Sequence, residues 1–316
     1  MPLAAKKNTR TEKVTPAQLD EEVLPQLAVE ELPQPPKVTA LIWSYNNAPA
    51  LRRCLAALEA SVNRAAIEIV VVDKGSQDES PGLDAEFPET TFLRLPRNFG
   101  NTKALNIAMR TGIGELVFFL RPEIIVEPGT VGRLVQFLES DSDPVAVCPL
   151  VVDENGSPVE QAYRLPSPQT GANLIPVAAG PGEAPFAVEY ATFQAMLARK
   201  YFIRGINYFD ERFGEFGADA ELGFQIRRAG RTIRIDPQTK VTLLPVPKRT
   251  SAAAETLLLA DRIHGTAVYL SKHFGFVSGL TFRIKEALKA LVGFRFSLLT
   301  SLVSATKVDG SQSVML

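Results

Sequence analysis

The sequence predicts an α/β fold built on an open, mostly parallel sheet flanked by helices, and three observations predict it. Four apolar runs, VTALIWSYNN, IEIVVVDKGSQDES, TTFLRLPRNFGNTKALNIA and ELVFFLRPEI, each break off abruptly into polar residues. Helical periodicity fills the gaps between them. The runs are apolar throughout rather than alternating, as strands buried on both faces of a parallel sheet must be. In such sheets ligands bind beyond the carboxyl ends of the strands. Ser44, Tyr45, Asn46, Asp73, Asn98 and Glu123 are therefore candidate site residues.

Residues 1–36 are polar, charged and closed by ELPQPPK. They bury too little apolar area to offset ordering, so a disordered arm is expected. Strand Val38–Trp43 leads to a helix carrying Leu51, Cys54, Leu55 and Leu58 at three- and four-residue steps, with Pro49 in its first turn. Strand Ile67–Val72 ends at Asp73 and a Gly-Ser-Gln-Asp turn. Strand Thr91–Leu95 precedes a helix over Thr102–Thr111, with Gly112 as its C-terminal cap. Strand Leu116–Leu120 runs into Arg121-Pro122-Glu123, and Pro128 opens a helix carrying Val131, Leu134, Val135 and Leu138. The β-α-β-α-β order argues for right-handed crossovers. A strand over Val145–Val152, a Pro- and Gly-rich loop over 163–185, a strand over Phe193–Ala198 and a helix over Asp219–Ala229 follow. From Ser251 the sequence reads as helical.

Composition narrows the functional classes. Lys plus Arg number 34 against 35 Asp plus Glu, so no global charge points to nucleic acid. Cys54 and Cys148 read as buried reduced thiols. The first residues lack an apolar signal segment, and no run of eighteen apolar residues occurs, so a cytoplasmic protein is expected. Residues 281–304 combine Ile284, Leu288, Leu291, Val292, Leu298, Leu299 and Leu302 at helical spacing with Arg283, Lys285, Lys289 and Arg295. That is either a peripheral membrane or docking helix or an ordinary helix covering the core.

Several motifs carry chemistry. Asp73 precedes Gly75-Ser76, where a carboxylate either caps the turn or faces a ligand. Asn98-x-Gly100-x-x-x-Ala104-x-Asn106 places a permissive turn before a helix amino end, and Asn106 reads as satisfying nearby backbone. Phe209-Asp210-Glu211-Arg212-Phe213 is followed by Ala218-Asp219-Ala220-Glu221-Leu222. Asp219 there is either a proton acceptor or a helix cap. His264 and His273, the two histidines, read as structural or solvent-facing.

From about Val38 to Ser251 these runs and motifs resemble the family 2 glycosyltransferases of the GT-A nucleotide-sugar fold, and among them rhamnosyltransferase-like members. The resemblance implies a domain over 37–250, with a nucleotide-binding half at 37–125, an acceptor half at 126–250, and C-terminal helices at 251–306. It implies a UDP- or dTDP-sugar donor and a polysaccharide or lipid-linked acceptor. Asp73 would read the base, with Ser44, Tyr45, Asn46, Asn98 and Gly100 around the nucleotide. Lys103 and Arg121 would steady the diphosphate, and Asp219 would be the base of an inverting transfer, with Glu215 and Glu221 as substitutes. Glu123 stands where the family holds Mg²⁺ or Mn²⁺, but the neighbouring Arg121 would repel such an ion and could clamp phosphate itself. Ala218, Gln225 and Pro247 replace the family's Glu, Arg and His. These departures keep open an alternative, a non-catalytic nucleotide-binding or scaffold homologue. A nucleotidyltransferase fits less well, because the first strand ends in SYNN rather than a glycine-rich loop.

Overall fold

The computed structural model describes residues 36–177, 184–245, 251–304 and 306–311. The expected arm, apart from residue 36, and Pro247 lie outside them. β1 (Val38–Ser44), α1 (Ala48–Glu59), β2 (Ile67–Asp73), a one-turn α2 (Leu83–Glu86), β3 (Thr91–Arg94), α3 (Asn101–Thr111) and β4 (Leu116–Leu120) follow the expected order. β5 (Ile124–Val126), α4 (Thr130–Ser140), β6 (Pro144–Val152), β7 (Ala162–Tyr163), β8 (Phe186–Val188), β9 (Tyr190–Ala191) and β10 (Ala195–Arg199) come next. The chain continues through α5 (Lys200–Gly205), α6 (Ala218–Arg228), β11 (Thr232–Leu243), α7 (Ala252–Phe274), α8 (Phe276–Val292) and α9 (Phe296–Val303).

The main sheet runs β3-β2-β1-β4-β10-β6-β11-β5, with β8 also on β11. Its first four strands are parallel, Val38 lying opposite both Ile67 and Leu116. Beyond β4 the sheet is mixed. The chain re-enters it at the carboxyl end of β4, where the Arg121 amide donates to the Gln194 carbonyl at 2.9 Å. β10 must therefore run antiparallel to β4, and it is antiparallel to β6 as well. β11 has no clear signature in the sequence because its pairing with β6 slips between Asp236 and Lys240, around Pro237. Proline is tolerated at such an irregularity because it owes the ladder no N–H.

Alternate residues of each central strand feed two cores. Ala40, Ile42, Ile69, Val71, Phe118 and Leu120 face α1 and α4, whose Leu51, Leu55, Leu134 and Leu138 are buried. Leu41, Val70, Val72 and Phe119 face the opposite layer, with Leu105 and Met109 of α3 and Leu222 and Ile226 of α6. This double covering is why the strands read as continuous apolar runs. Cys54 and Cys148 are both buried and unbridged, and burial pushes both thiols up.

Two local readings change. Gly112 ends α3 in extended rather than left-handed backbone (φ −62°, ψ 143°). It is small because a Cβ there would run into the Thr39 side chain. The segment 281–304 is not one helix: it breaks at Gly293–Arg295, where Phe294 takes φ 54°, into α8 and α9. Beneath them a third core joins Ile263, Ala267 and Leu270 of α7 to Phe282, Ala290, Leu298 and Leu302.

α8 folds back on α7 at very short range, since a Cβ on Gly279 would lie 2.5 Å from the Ala267 carbonyl oxygen and meet Ser271 Oγ. Gly279→Ala is expected to cost about 1–3 kcal/mol in denaturant unfolding. Gly132→Ala on α4, where a Cβ meets nothing within 4 Å, is the control and should stabilise by up to about 1 kcal/mol. Equal effects would disprove the close approach.

Candidate active site

A cavity of about 470 Å³ opens at the carboxyl ends of β1, β2 and β4, within the size range of small-molecule sites. Tyr45, Asn47, Lys74, Arg121 and Glu123 supply the strand-end wall, Asp219 the start of α6, and Tyr163 and Tyr190 the floor between them. α7 closes the remaining side with Leu258, Arg262, Gly265, Thr266 and Tyr269. Of the sequence-predicted residues, Tyr45, Arg121, Glu123 and Asp219 line the cavity. Ser44, Asn46, Asp73, Asn98, Gly100 and Lys103 stand behind its wall or outside it.

Three of those outer residues, Asp73, Asn46 and Asn98, brace the strand-end turns. Asp73 is buried, and its Oδ1 accepts the Ser76 amide at 3.0 Å. Asn46, in left-handed backbone (φ 50°), accepts the Gln77 amide on its Oδ1 at 2.8 Å, and its own amide donates to Ser76 Oγ at 2.9 Å. Ser44 Oγ is buried without a hydrogen-bond partner. Asn98 Oδ1 accepts the Gly100 amide at 2.9 Å. Gly100 takes φ 87°, and a Cβ on it would meet the Val308 carbonyl oxygen at 2.7 Å and the Gly214 backbone at 2.9 Å. What approaches this glycine is the chain itself. Lys103 is exposed, with its ammonium 4.5 Å from the centre of the Phe99 ring. Asn106 serves backbone as expected, donating to the Phe209 carbonyl at 2.8 Å and accepting the Phe209 amide at 3.0 Å.

Two cations of the wall are already paired. Lys74 donates to Glu215 Oε1 at 2.8 Å and Asn101 Oδ1 at 2.7 Å, with both side chains of the ion pair nearly fully buried. Glu123, also buried, accepts Asn47 Nδ2 on one oxygen at 2.8 Å and Arg121 Nε on the other at 3.0 Å. The Arg121 guanidinium held on Glu123 is a fixed positive charge that would repel a divalent ion brought to the same carboxylate. No group of three or more His, Cys, Asp or Glu side chains among the described residues could hold one.

Asp219 occupies the first turn of α6 rather than its cap. The cap is Gly217 at φ 108°, where a Cβ would strike the Phe213 ring. Asp219 Oδ1 accepts the Ala220 amide at 2.8 Å. The sequence led us to expect a readily ionised carboxyl. Enclosure by the cavity walls instead pushes it above the ordinary range, against the pull of the helix-end amides and of Arg262. Arg262 lies 4.6 Å from the centre of the Phe216 ring and forms no ion pair with a carboxylate among the described residues. Burial likewise raises Tyr163 and Tyr190, so both remain neutral hydroxyls beside Asp219.

Glu221 is committed elsewhere. It accepts Gln225 Nε2 and Lys272 Nζ at 2.8 Å each on Oε1 and lies 2.5 Å from His273 Nε2 through Oε2. Burial alone would raise its carboxyl, but these three partners hold it below the usual range. The His273 side chain is buried, not solvent-facing, and its ring lies 3.7 Å from that of Phe224. His264 is also withdrawn, and burial first, then Arg283 and Lys307, lowers its imidazole.

Residues 39–202, just over half of the chain, match the family model described as Glycosyl transferase family 2. The chain belongs to that family. An N-acetylglucosaminyltransferase of Mesorhizobium japonicum is 24% identical over an alignment of 268 positions that covers 75% of this chain and 60% of that protein. An N-acetylglucosaminyl-diphospho-decaprenol L-rhamnosyltransferase of Mycobacterium tuberculosis is 25% identical over an alignment of 216 positions that covers 59% of this chain and 69% of the other. Among solved structures, GalNAc-T7 with UDP, GalNAc and Mn²⁺ superposes with a TM-score of 0.57 at 15% identity, covering 73% of this chain and 48% of that one. The mannosyltransferase PcManGT from Pyrobaculum calidifontis, in complex with GDP-Man and Mn²⁺, gives 0.53 at 17%, covering 86% and 74%. These two likenesses show the GT-A fold. This chain spans less than two thirds of the Mesorhizobium protein.

The sequence missed three features of the site: Lys74, Arg262 and the buried Asp261. Lys74 directly follows Asp73 and could have been noticed as a strand-end cation, but nothing local marks the α7 residues. Asp261 Oδ1 accepts the Val308 amide at 2.7 Å, and its Oδ2 accepts those of Glu215 at 2.9 Å and Phe216 at 3.2 Å. Burial, with Glu215 nearby, raises the carboxyl to about 7 despite these amides. A folded carboxyl raised above its ordinary 3.8 contributes stability that is full below that value and lost as pH rises through about 7. Melting temperature measured across this window should decline in the parent chain, and Asp261→Asn should flatten that part of the decline. An unchanged slope would remove Asp261 as its source.

Proposed function

We propose that this glycosyltransferase moves a sugar from a UDP- or dTDP-sugar to a glycan or lipid-linked acceptor with inversion, Asp219 acting as general base. The observation that carries the reading is the Asp219 carboxyl in the cavity, facing the strand ends with its basicity raised. The free oxygen of Asp219 takes the proton of the acceptor hydroxyl while the hydroxyl oxygen attacks the anomeric carbon. The bond to the diphosphate breaks on the opposite face, and the nucleoside diphosphate leaves. Arg121 and Lys74 line the donor side, and Arg262 offers a guanidinium to charge developing on the phosphates. Asp73, Asn46, Asn98 and Gly100 shape the turns that border the nucleotide, with Tyr45 facing the cavity. The acceptor class follows the name of the M. tuberculosis relative, and a cytoplasmic location, peripheral at the inner face of the plasma membrane, would suit it.

The test begins with thermal stabilisation by a panel of nucleotide sugars, since even weak ligands report through mass action. Asp219→Asn keeps the size of the side chain but cannot take the proton. It should leave donor binding and melting temperature nearly unchanged while slowing transfer by roughly 10²–10⁴-fold. Transfer at the parent rate would eliminate Asp219 as base. Glu215 would be the next candidate, since Glu221 is tied to Lys272 and His273.

The Arg121 guanidinium held on Glu123 also favours transfer without a divalent ion, since a fixed cation beside the carboxylate repels one. Activity should persist in EDTA, and complete loss with rescue by Mn²⁺ would mean that the Arg121–Glu123 pair opens to coordinate. A second reading, a nucleotide-binding module without transfer, draws on the same pair together with Ala218 and Gln225. Donor binding with no transfer to any acceptor would favour it.

A further inference from the structure

Among the described residues, eleven of the sixteen exposed large apolar side chains lie between Phe274 and Val303, on the C-terminal helices. At about 100° per residue, Val277, Leu280, Ile284, Leu288 and Leu291 fall within about 40° of one line along α8. They are 43–73% exposed. The opposite face of α8 carries Gly279, Phe282 and Ala290, all buried, so the stripe points away from the third core. Beyond it, at the break before α9, Phe294 and Phe296 are 79% and 59% exposed.

Charge says what this face meets. Residues 274–304 hold Arg283, Lys285, Lys289 and Arg295 against a single acid, Glu286. Arg283 and Lys285 fall about 100° to either side of the stripe on the helical wheel. Lys289 pairs with Glu286, while Lys285 and Arg295 are exposed and have no carboxylate partner among the described residues. A second copy docking through the same face would bring its own basic rim against this one. An anionic lipid surface accepts both the apolar stripe and the basic rim. No helix among the described residues is long and apolar enough to cross a membrane, so contact would be in the plane.

We propose that α8 and the turn before α9 dock this chain on an anionic lipid surface, with Val277, Leu280, Ile284, Leu288 and Leu291 entering the acyl boundary and Lys285 and Arg295 meeting the headgroups. The loop at the cavity's edge rests on the same helix, for a Cβ on Gly171 would come within 2.7 Å of the Phe282 ring. That loop carries Leu174 and Ile175, 45% and 37% exposed, and Leu174 lines the cavity. The loop thus packs on the face of α8 opposite the stripe. Resting on the transfer reading for this last step, docking holds the chain at the surface where an amphiphilic acceptor presents its sugar.

The experiment is co-sedimentation of the full chain with large vesicles of phosphatidylcholine alone or mixed with phosphatidylglycerol. Binding to the mixed vesicles is expected, and it should weaken as salt rises. Ile284→Glu with Leu288→Glu should reduce the partition coefficient at least tenfold without changing the melting temperature. Lys285→Glu with Arg295→Glu should reduce it by roughly fivefold or more per charge at low salt. This second pair also covers the case in which the apolar variant fails to fold. Absence of binding to mixed vesicles would overturn the proposal, as would binding indifferent to both pairs of substitutions. So would a dimer in solution that the glutamates dissolve. Vesicle binding needs neither sugar donor nor acceptor, so it stands or falls separately from the transferase reading.

Discussion

The site is organised around one buried carboxyl group, Asp261. From the middle of α7 it gathers the amides of Glu215, Phe216 and Val308, and Gly214 must lack a side chain to let it reach them. Burying a carboxyl is costly unless its acceptor sites are used, and here they are used to fix a loop. Gly214 in turn accepts both the amide and the hydroxyl of Thr102 at the start of α3. Glu215 pairs with Lys74 at the end of β2, and two residues after Phe216 α6 begins, carrying Asp219. One side chain from the C-terminal helices therefore sets the relative positions of the strand-end wall and of the proposed base.

That arrangement explains what could and could not be read from the sequence. The parallel half was legible because each strand is buried on both faces and ends at a polar turn, so periodicity and punctuation agree. Strand ends are also where ligand groups collect, which is why Tyr45, Arg121 and Glu123 could be nominated, while Asp219 came from the motif around Phe209–Leu222. Asp73, Asn98 and Gly100 were equally visible, but a residue that supports a turn and one that faces a ligand leave the same mark on a sequence. The α7 contribution was hidden. Arg262 and Tyr269 sit in an ordinary amphipathic pattern, and only tertiary packing turns them toward the cavity. β11 was hidden for a local reason, since Asp236-Pro237 interrupts its alternation where the pairing slips.

The positions where this chain departs from its family's motifs are not idle. Gln225 stands in place of the expected Arg and donates to Glu221, while Lys272 and His273 from α7 supply the other partners of that carboxylate. Lys272 also reaches Asp210 at 3.2 Å, so the end of α7 secures both the Phe209–Phe213 segment and α6. Arg121 plays a comparable part on the opposite wall, where it neutralises Glu123. In both places a charge has been balanced by a side chain of the chain itself. Arg262 is the contrast, a guanidinium at the cavity with an aromatic ring beside it and no anion paired to it among the described residues.

The contact at Gly279 has a mechanical consequence. With α8 seated against the Ala267 carbonyl and Ser271, the α7–α8 hairpin has no room for its helices to slide past one another. It behaves as a stiff spar whose outer edge is apolar and whose inner edge bears Arg262, Thr266 and Tyr269. A load applied along the outer edge would arrive at the cavity wall with little lost to bending.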